Sequence, residues 1–260
     1  MGLQVLVSSL NQNVYSILKN MRIQTDAIII NQCERTEWIK LEHNGSIINF
    51  YSFNERGVGL SRNNALMRAT ASICLFADED MTYVEGYEKI VCDAFKKNPD
   101  ADLIVFNVPS MNPERPTYNI LKSARVRWFN CLKYGAVSIA IRTEKVRQAN
   151  VNFSLLFGGG AKYSAGEDSL FIVECLRKGL KVFTNTAVIG HVKQDNSTWF
   201  EGYTDKYFID KGVFFSFVSR RLAGILSLHY AIRYRKKFKG IKSWREIYLL
   251  MKIGIREIDR

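Results

Sequence analysis

Four groups of residues could do chemistry by their type and spacing. Asp78-Glu79-Asp80 places three carboxylates directly after the apolar run Ile73–Ala77. A buried strand that ends in acids puts them at the carboxyl edge of a sheet, where open α/β sheets bind ligands. Three like charges repel one another, and hard oxygen donors suit Mg²⁺ or Mn²⁺, ions that commonly bridge to substrate phosphates. A solvated acidic turn, or Asp80 capping a helix near Met81, is the competing reading, and the apolar strand in front favours the metal.

Gly57-Val58-Gly59-Leu60-Ser61-Arg62-Asn63-Asn64 begins like a dinucleotide fingerprint but has only two of its three glycines. It does not follow the first strand and lacks the later acid, so it is weak as a nicotinamide site. A helix N-terminus bearing Arg62 can still bind a diphosphate through backbone N–H groups and a guanidinium fork. A glycine turn with a solvent-facing arginine is equally compatible. Gly158-Gly159-Gly160 precedes Glu167-Asp168. Ser164-x-x-Glu167 fits a capping box, a structural role for Glu167. Asp168 then sits in a first helical turn, where the helix dipole favours the ionised form that a general base needs. His191 follows a strand and Gly190, and by itself it indicates nothing.

These groups need a scaffold, and the pattern around them supplies one. Strands are expected at Leu3–Ser8, Ala27–Ile30, Ile47–Tyr51, Ile73–Ala77, Asp102–Val108, Ala136–Arg142, Lys181–Phe183 and Ala187–Gly190. Helices are expected at Asn13–Met21, Leu60–Thr70, Gly86–Lys97, Thr143–Ala149 and Ala165–Lys178, the last closed by Gly179. This alternation predicts an α/β domain with a mainly parallel central sheet flanked by helices. Pro109, Pro113 and Pro116 mark one long loop.

Taken in order, these features resemble the family 2 glycosyltransferases of the GT-A fold over about Leu3 to Lys211, most of all bacterial capsule and cell-envelope polysaccharide transferases. The resemblance implies that Phe76-Ala77-Asp78-Glu79-Asp80 holds a divalent cation and the donor, with Asp80 and His191 on the metal. Asp78 would contact the ribose or donor sugar, with Glu79 beside it. Gly57-Val58-Gly59-Leu60-Ser61-Arg62-Asn63 matches the family's G-x-G-x-[SA]-R-N, with Arg62 supporting the donor diphosphate. Asp168 would be the base, with Gly158, Gly159, Gly160, Glu167 and Trp199 around donor and acceptor. Ser8 and Asn11 stand where the family has Pro-x-x-Asn, and here the proline is missing. Asn31 and Gln32 stand where an Asp usually reads the nucleotide, and an amide can still bond a uracil edge. The implied reaction is inverting, metal-dependent transfer from a uridine diphosphate sugar to a hydroxyl of a growing, lipid-linked surface polysaccharide. A sugar-phosphate nucleotidyltransferase is the alternative enzyme, although Ser8–Asn13 lacks its glycine-rich, cationic loop. An inactive glycosyltransferase-like binding protein is the other alternative.

Charge adds location. The formal net charge is +12. Met1–Asp210 carries 24 basic and 22 acidic residues, and Lys211–Arg260 carries 13 and 3. The expected division is therefore a catalytic domain over 1–211 and a basic amphipathic helical extension over 212–260. In the extension Phe214, Phe217, Val218, Leu222, Ile225 and Leu226 recur at helical spacing ahead of Arg233, Arg235, Lys236, Lys237 and Lys239. Such a stretch can lie on an anionic membrane, pack on the core or form a homodimer. No nucleic-acid motif accompanies the cations. The first ten residues lack a signal-peptide pattern, and five widely spaced cysteines read as reduced thiols. The expected location is cytoplasmic, peripheral on the inner face of the plasma membrane.

Overall fold

The computed structural model describes residues 2–194 and 202–259. Two compact units emerge, one of residues 1–155 and 167–197, the other of residues 156–166 and 198–260.

The first unit is a mixed α/β layer structure. Its strands are β1 (Leu3–Leu10), β2 (Asp26–Gln32), β3 (Glu37–His43), β4 (Ser46–Phe53), β5 (Ile73–Asp78), β7 (Leu103–Asn107), β8 (Ile139–Arg142) and β9 (Val182–Val188), in the order β3-β4-β2-β1-β5-β8-β7-β9. The strands from β4 through β2 and β1 to β5 run parallel, whereas β8 lies antiparallel to both β5 and β7. The sheet is mixed but mainly parallel as expected, with six strands running one way and β3 and β8 opposed. A separate two-stranded ribbon pairs β6 (Met81–Tyr83) with β10 (Gly190–Val192).

The parallel strands are apolar runs because both faces are covered. Leu3, Val5 and Val7 of β1 pack with Ile73, Leu75 and Ala77 of β5 under α1 (Val14–Met21) and α3 (Tyr87–Lys97). With a side-chain period of two, Ser8 and its register partner Asp78 face the opposite side. That side carries α2 (Val58–Arg68) and α5 (Glu167–Arg177). The chain leaves β1 toward β2 on one side and reaches β5 on the other, so the ends of β1 and β5 form a topological switch point. A short helix, α4 (Thr143–Gln148), follows β8.

β3, β6 and β10 depart from the expected element list. β3 is an edge strand whose charged, largely exposed side chains (Glu37, Lys40, Glu42) hide its strand character while blunting the edge. β6 and β10 are three residues each and pair with one another, with Val192 also bridging to Ser110. The expected strands Lys181–Phe183 and Ala187–Gly190 are joined instead as β9, with β10 starting at Gly190.

In the second unit, α6 (Asp205–Val218), α7 (Ala223–Arg233) and α8 (Trp244–Asp259) bury Phe208, Val213, Phe238, Ile247 and Met251. Gly212 lies against the Met251 backbone and Gly254 against that of Ile209, so neither position has room for a Cβ. Of the amphipathic stripe expected here, Phe214 and Val218 are buried, whereas Leu222 and Ile225 are exposed. No helix among the described residues is long and apolar enough to cross a membrane.

Candidate active site

Arg62 organises the carboxyl edge of the sheet. Its side chain is 3% exposed. Nη2 donates to both oxygens of Asp78 at 3.0 Å, and Nη1 donates to Glu167 Oε1 at 3.0 Å and Asp168 Oδ1 at 2.9 Å. Three carboxylates from β5 and the first turn of α5 therefore converge on one guanidinium. Below it lies an aromatic floor. The guanidinium sits 5.3 Å from the Phe153 ring, which stacks on Phe171 at 4.2 Å and meets Phe76 edge-on at 5.0 Å.

The local sequence explains how Arg62 reaches this position. Gly57 adopts a φ of 130°, and its N–H donates to Gln32 Oε1 at 2.7 Å, which fixes the start of α2. A Cβ on Gly59 would clash with the Ser154 carbonyl oxygen, so only glycine lets α2 approach that segment. Asn63 then clasps Phe153, accepting from its N–H at 2.8 Å and donating to its carbonyl at 2.9 Å. The glycines and asparagine of the Gly57–Asn63 motif thus serve helix docking, and both Nη atoms of Arg62 are engaged by carboxylates rather than presented as a free fork for a diphosphate.

One positive charge against three negative ones leaves an excess that a proton can relieve. Burial and the neighbouring Glu167 push the Asp168 carboxyl well above the usual carboxylate range, against the pull of Arg62. Burial also opposes ionisation of Glu167, but Arg62 and a hydrogen bond from Asp168 outweigh it and hold Glu167 low. For Arg62, burial is outweighed by Asp78, Asp168 and Glu167, which hold the guanidinium charged. Helix position alone suggested an ionised Asp168, and the adjacent carboxylate reverses that expectation. Glu167, read as the capping partner of Ser164, has its carboxylate in the Arg62 cluster. Asp168 Oδ2 lies on the side of Gly135, 3.7 Å from where a Cβ on that residue would sit.

The remaining acids have separate tasks. Glu79 Oε2 accepts from the Leu10 N–H at 2.6 Å, fastening the end of β1. Burial raises its carboxyl despite that bond, and Asp78 and Asp80 add repulsion. Asp80 Oδ2 accepts from the Gln194 N–H at 3.2 Å, and its carbonyl accepts from the Lys193 N–H at 3.1 Å. His191 is exposed on β10, in register with Thr82. Among the described residues no three His, Cys, Asp or Glu side chains cluster closely enough to hold a metal by themselves. The donor set suits an Mg²⁺-type site, in which one or two protein carboxylates hold the ion and substrate phosphates and water complete its shell.

Ser8 and Asn31, paired as donor contacts in the sequence, face opposite sides of the sheet. Ser8 shares the Asp78 side, and its buried Oγ has no partner among the described residues. Asn31 is 1% exposed, and its amide is taken up by the Gln12 N–H at 2.8 Å, the Gln12 carbonyl at 3.2 Å and Ser52 Oγ at 3.4 Å. It braces the loop after β1. Asn11 is exposed in the left-handed region (φ 51°), and its N–H donates to the Gln32 carbonyl. Gly158–Gly160 belongs to the second unit. There Gly158 and Gly160 take positive φ, and the turn is closed by the Gly158 N–H donating to the Tyr163 carbonyl and the Tyr163 N–H donating to the Leu156 carbonyl, each at 2.9 Å. Trp199 lies outside the described residues. Asn63, Phe153 and Gly135 are the site residues that sequence patterning did not single out as such, and Gln32, read as a nucleotide contact, instead fixes the start of α2. Asn63 at least lies within the motif, whereas Gly135 carries no signal at all.

No family model matches the chain, and no curated protein matches it in sequence. Solved structures do match in fold. TarS of S. aureus (residues 1–349), crystallised in complex with UDP-GlcNAc, superposes with a TM-score of 0.66 at 12% identity, covering 97% of this chain and 91% of that one. The same TarS fragment with UDP gives 0.64 at 14% identity over 95% of this chain and 77% of that one. A longer TarS structure gives 0.62 at 14% identity, and there the chain spans 55% of that protein. The chain therefore shares its fold with TarS.

Proposed function

We propose that the chain is an inverting glycosyltransferase of the family 2 type, which transfers a sugar from a uridine diphosphate donor to a saccharide hydroxyl. The observation that carries this reading is the joining of Asp78 and Asp168 through Arg62 at the switch point of a sheet whose fold matches TarS bound to UDP-GlcNAc. Asp78, with Ser8 beside it, faces the donor. Asp168 takes the acceptor proton through Oδ2 while the acceptor oxygen attacks the anomeric carbon and the bond to the diphosphate breaks. Asp168 must first give up the proton it shares with Glu167, and Arg62 holds both carboxylates in place throughout. Asp80, with His191 as a second candidate, would hold the divalent cation, Mn²⁺ or Mg²⁺. That ion supplies electrostatic stabilisation to the departing diphosphate.

In this reading residues 1–211 form the catalytic domain, and the acceptor is a lipid-linked bacterial surface polysaccharide. Residues 212–260 hold the enzyme peripherally on the cytoplasmic face of the membrane. The exposed Leu222 and Ile225, together with Arg233, Arg235, Lys236 and Lys239, support the last point. Hydrolysis and transfer measured across a panel of nucleotide sugars test the function. If no donor is turned over with Mn²⁺ or Mg²⁺ present, the enzymatic reading is wrong and a binding protein of the same fold takes its place.

A further inference from the structure

The segment from Tyr118 to Tyr134, between β7 and β8, presents the two most exposed large hydrophobic side chains of the described residues. Phe129 is 88% exposed and Leu121 84%, and Trp128 beside them is 49% exposed. These side chains are not the loose tips of an unanchored loop. Ile120 is buried, with both its N–H and its carbonyl bonded to the Asn107 amide at 2.8 and 3.0 Å. Residues 124–126 run along the edge of β9, where the Val126 N–H donates to the Val182 carbonyl and the Ala124 carbonyl accepts from Thr184, each at 2.8 Å. Val126, Cys131 and Tyr134 are buried. The same segment carries Lys122, Arg125, Arg127 and Lys133, all exposed, and no acid.

We propose that residues 118–134 form an interfacial membrane contact, in which Leu121, Trp128 and Phe129 enter the headgroup boundary of an anionic bilayer and the four cations engage its phosphates. A rigidly held apolar tip ringed by cations matches what an anionic lipid interface offers, with aromatic side chains suited to the headgroup level. Each cation near such a surface adds attraction that salt weakens. The contact is separate from the one assigned to the C-terminal helices, since this segment belongs to the catalytic unit. It continues directly into Gly135, the residue beside Asp168 Oδ2. Resting on the reading of a lipid-linked acceptor, the segment sets the base against the surface from which that acceptor arrives.

Vesicle flotation of the full chain tests this, using phosphatidylcholine alone and phosphatidylcholine with phosphatidylserine. A probe strengthens it: all five native cysteines are buried, so a thiol introduced by Phe129→Cys accepts an environment-sensitive fluorophore selectively. The expected result is a blue shift and brightening of that label with anionic vesicles only. Binding should fall about tenfold or more in Leu121→Ser/Phe129→Ser and in Arg125→Ser/Arg127→Ser. These side chains are exposed, so the fold should be retained, which melting curves verify. Three results would each overturn the proposal: no binding to either vesicle, binding with an unchanged label and undiminished variants, or an equal label response to soluble polyphosphate without lipid. Donor hydrolysis in solution, which Leu121→Ser/Phe129→Ser should leave intact, reports on the enzymatic reading separately.

Discussion

Arg62 and Asp168, 106 positions apart in the chain, are joined by an ion pair of 2.9 Å between Nη1 and Oδ1. The second guanidinium nitrogen holds Asp78, so a single buried side chain spaces the donor-facing acid and the proposed base. Positions that must be held to a few tenths of an ångström during reaction are commonly fixed this way, by groups that do not themselves react.

Replacing Asp168 by Asn separates chemistry from structure. The amide oxygen still accepts from Arg62, and the neutral amide reproduces the charge of the protonated acid. Transfer should fall by about 10²–10⁴-fold, the usual contribution of a general base, with donor binding intact. Melting at neutral pH should be unchanged or higher. Transfer at the parent rate in this variant would remove Asp168 from the mechanism.

The pH dependence follows from the same crowding. The folded state holds the Asp168 proton more tightly than the unfolded chain does. Its contribution to stability is therefore complete below the ordinary carboxylate range and is lost as pH rises through the raised value. Glu167 is held low and acts oppositely, its contribution being lost only as pH falls through its depressed value. Transfer should rise with pH along a limb displaced above ordinary carboxylate titration. A rate profile flat down to the ordinary carboxylate range would contradict the shared proton.

Arg62→Met should cost about 3–5 kcal/mol in denaturant unfolding, because it strands buried carboxylates without a partner. Arg62→Lys should recover part of the stability but little of the transfer, since a point charge cannot occupy both nitrogen positions. Equal activity of the lysine and arginine proteins would show that the fork is not needed.

Gly135 has ordinary backbone angles (φ −89°, ψ 156°), so a larger residue there is not strained. Gly135→Leu should place its side chain beside Asp168 Oδ2 and obstruct the acceptor. The expected signature is lost transfer with donor hydrolysis and melting temperature preserved. If transfer kinetics are unaltered, the acceptor does not approach by that side.

Chelation tests the cation. Addition of EDTA should abolish transfer, and Mn²⁺ or Mg²⁺ should restore it. Asp80→Asn should weaken metal-dependent donor binding more than Asp168→Asn does. Full activity in chelator would remove Asp80 from a metal-holding role.

By itself the sequence determines the layered α/β scaffold and the placing of acids at a strand end. Buried strands and amphipathic helices are written in local hydrophobic periodicity, so Ile73–Asp78 and Glu167–Arg177 are legible at nearly their true bounds. The edge strand Glu37–His43 is not, because Glu37, Lys40 and Glu42 mask the short apolar face of Ile39 and Leu41 that packs on the core. Only the tertiary structure decides what the motif residues touch. Strand pairing puts Ser8 beside Asp78 and sends Asn31 to the other face, and helix docking through Gly59 and Asn63 carries Arg62 into the acids rather than toward solvent. The protonation of Asp168 belongs to the same class. Helix position favours its charge, but a field summed over Glu167, Arg62 and Asp78 depends on distances that residues far apart in sequence acquire only on folding.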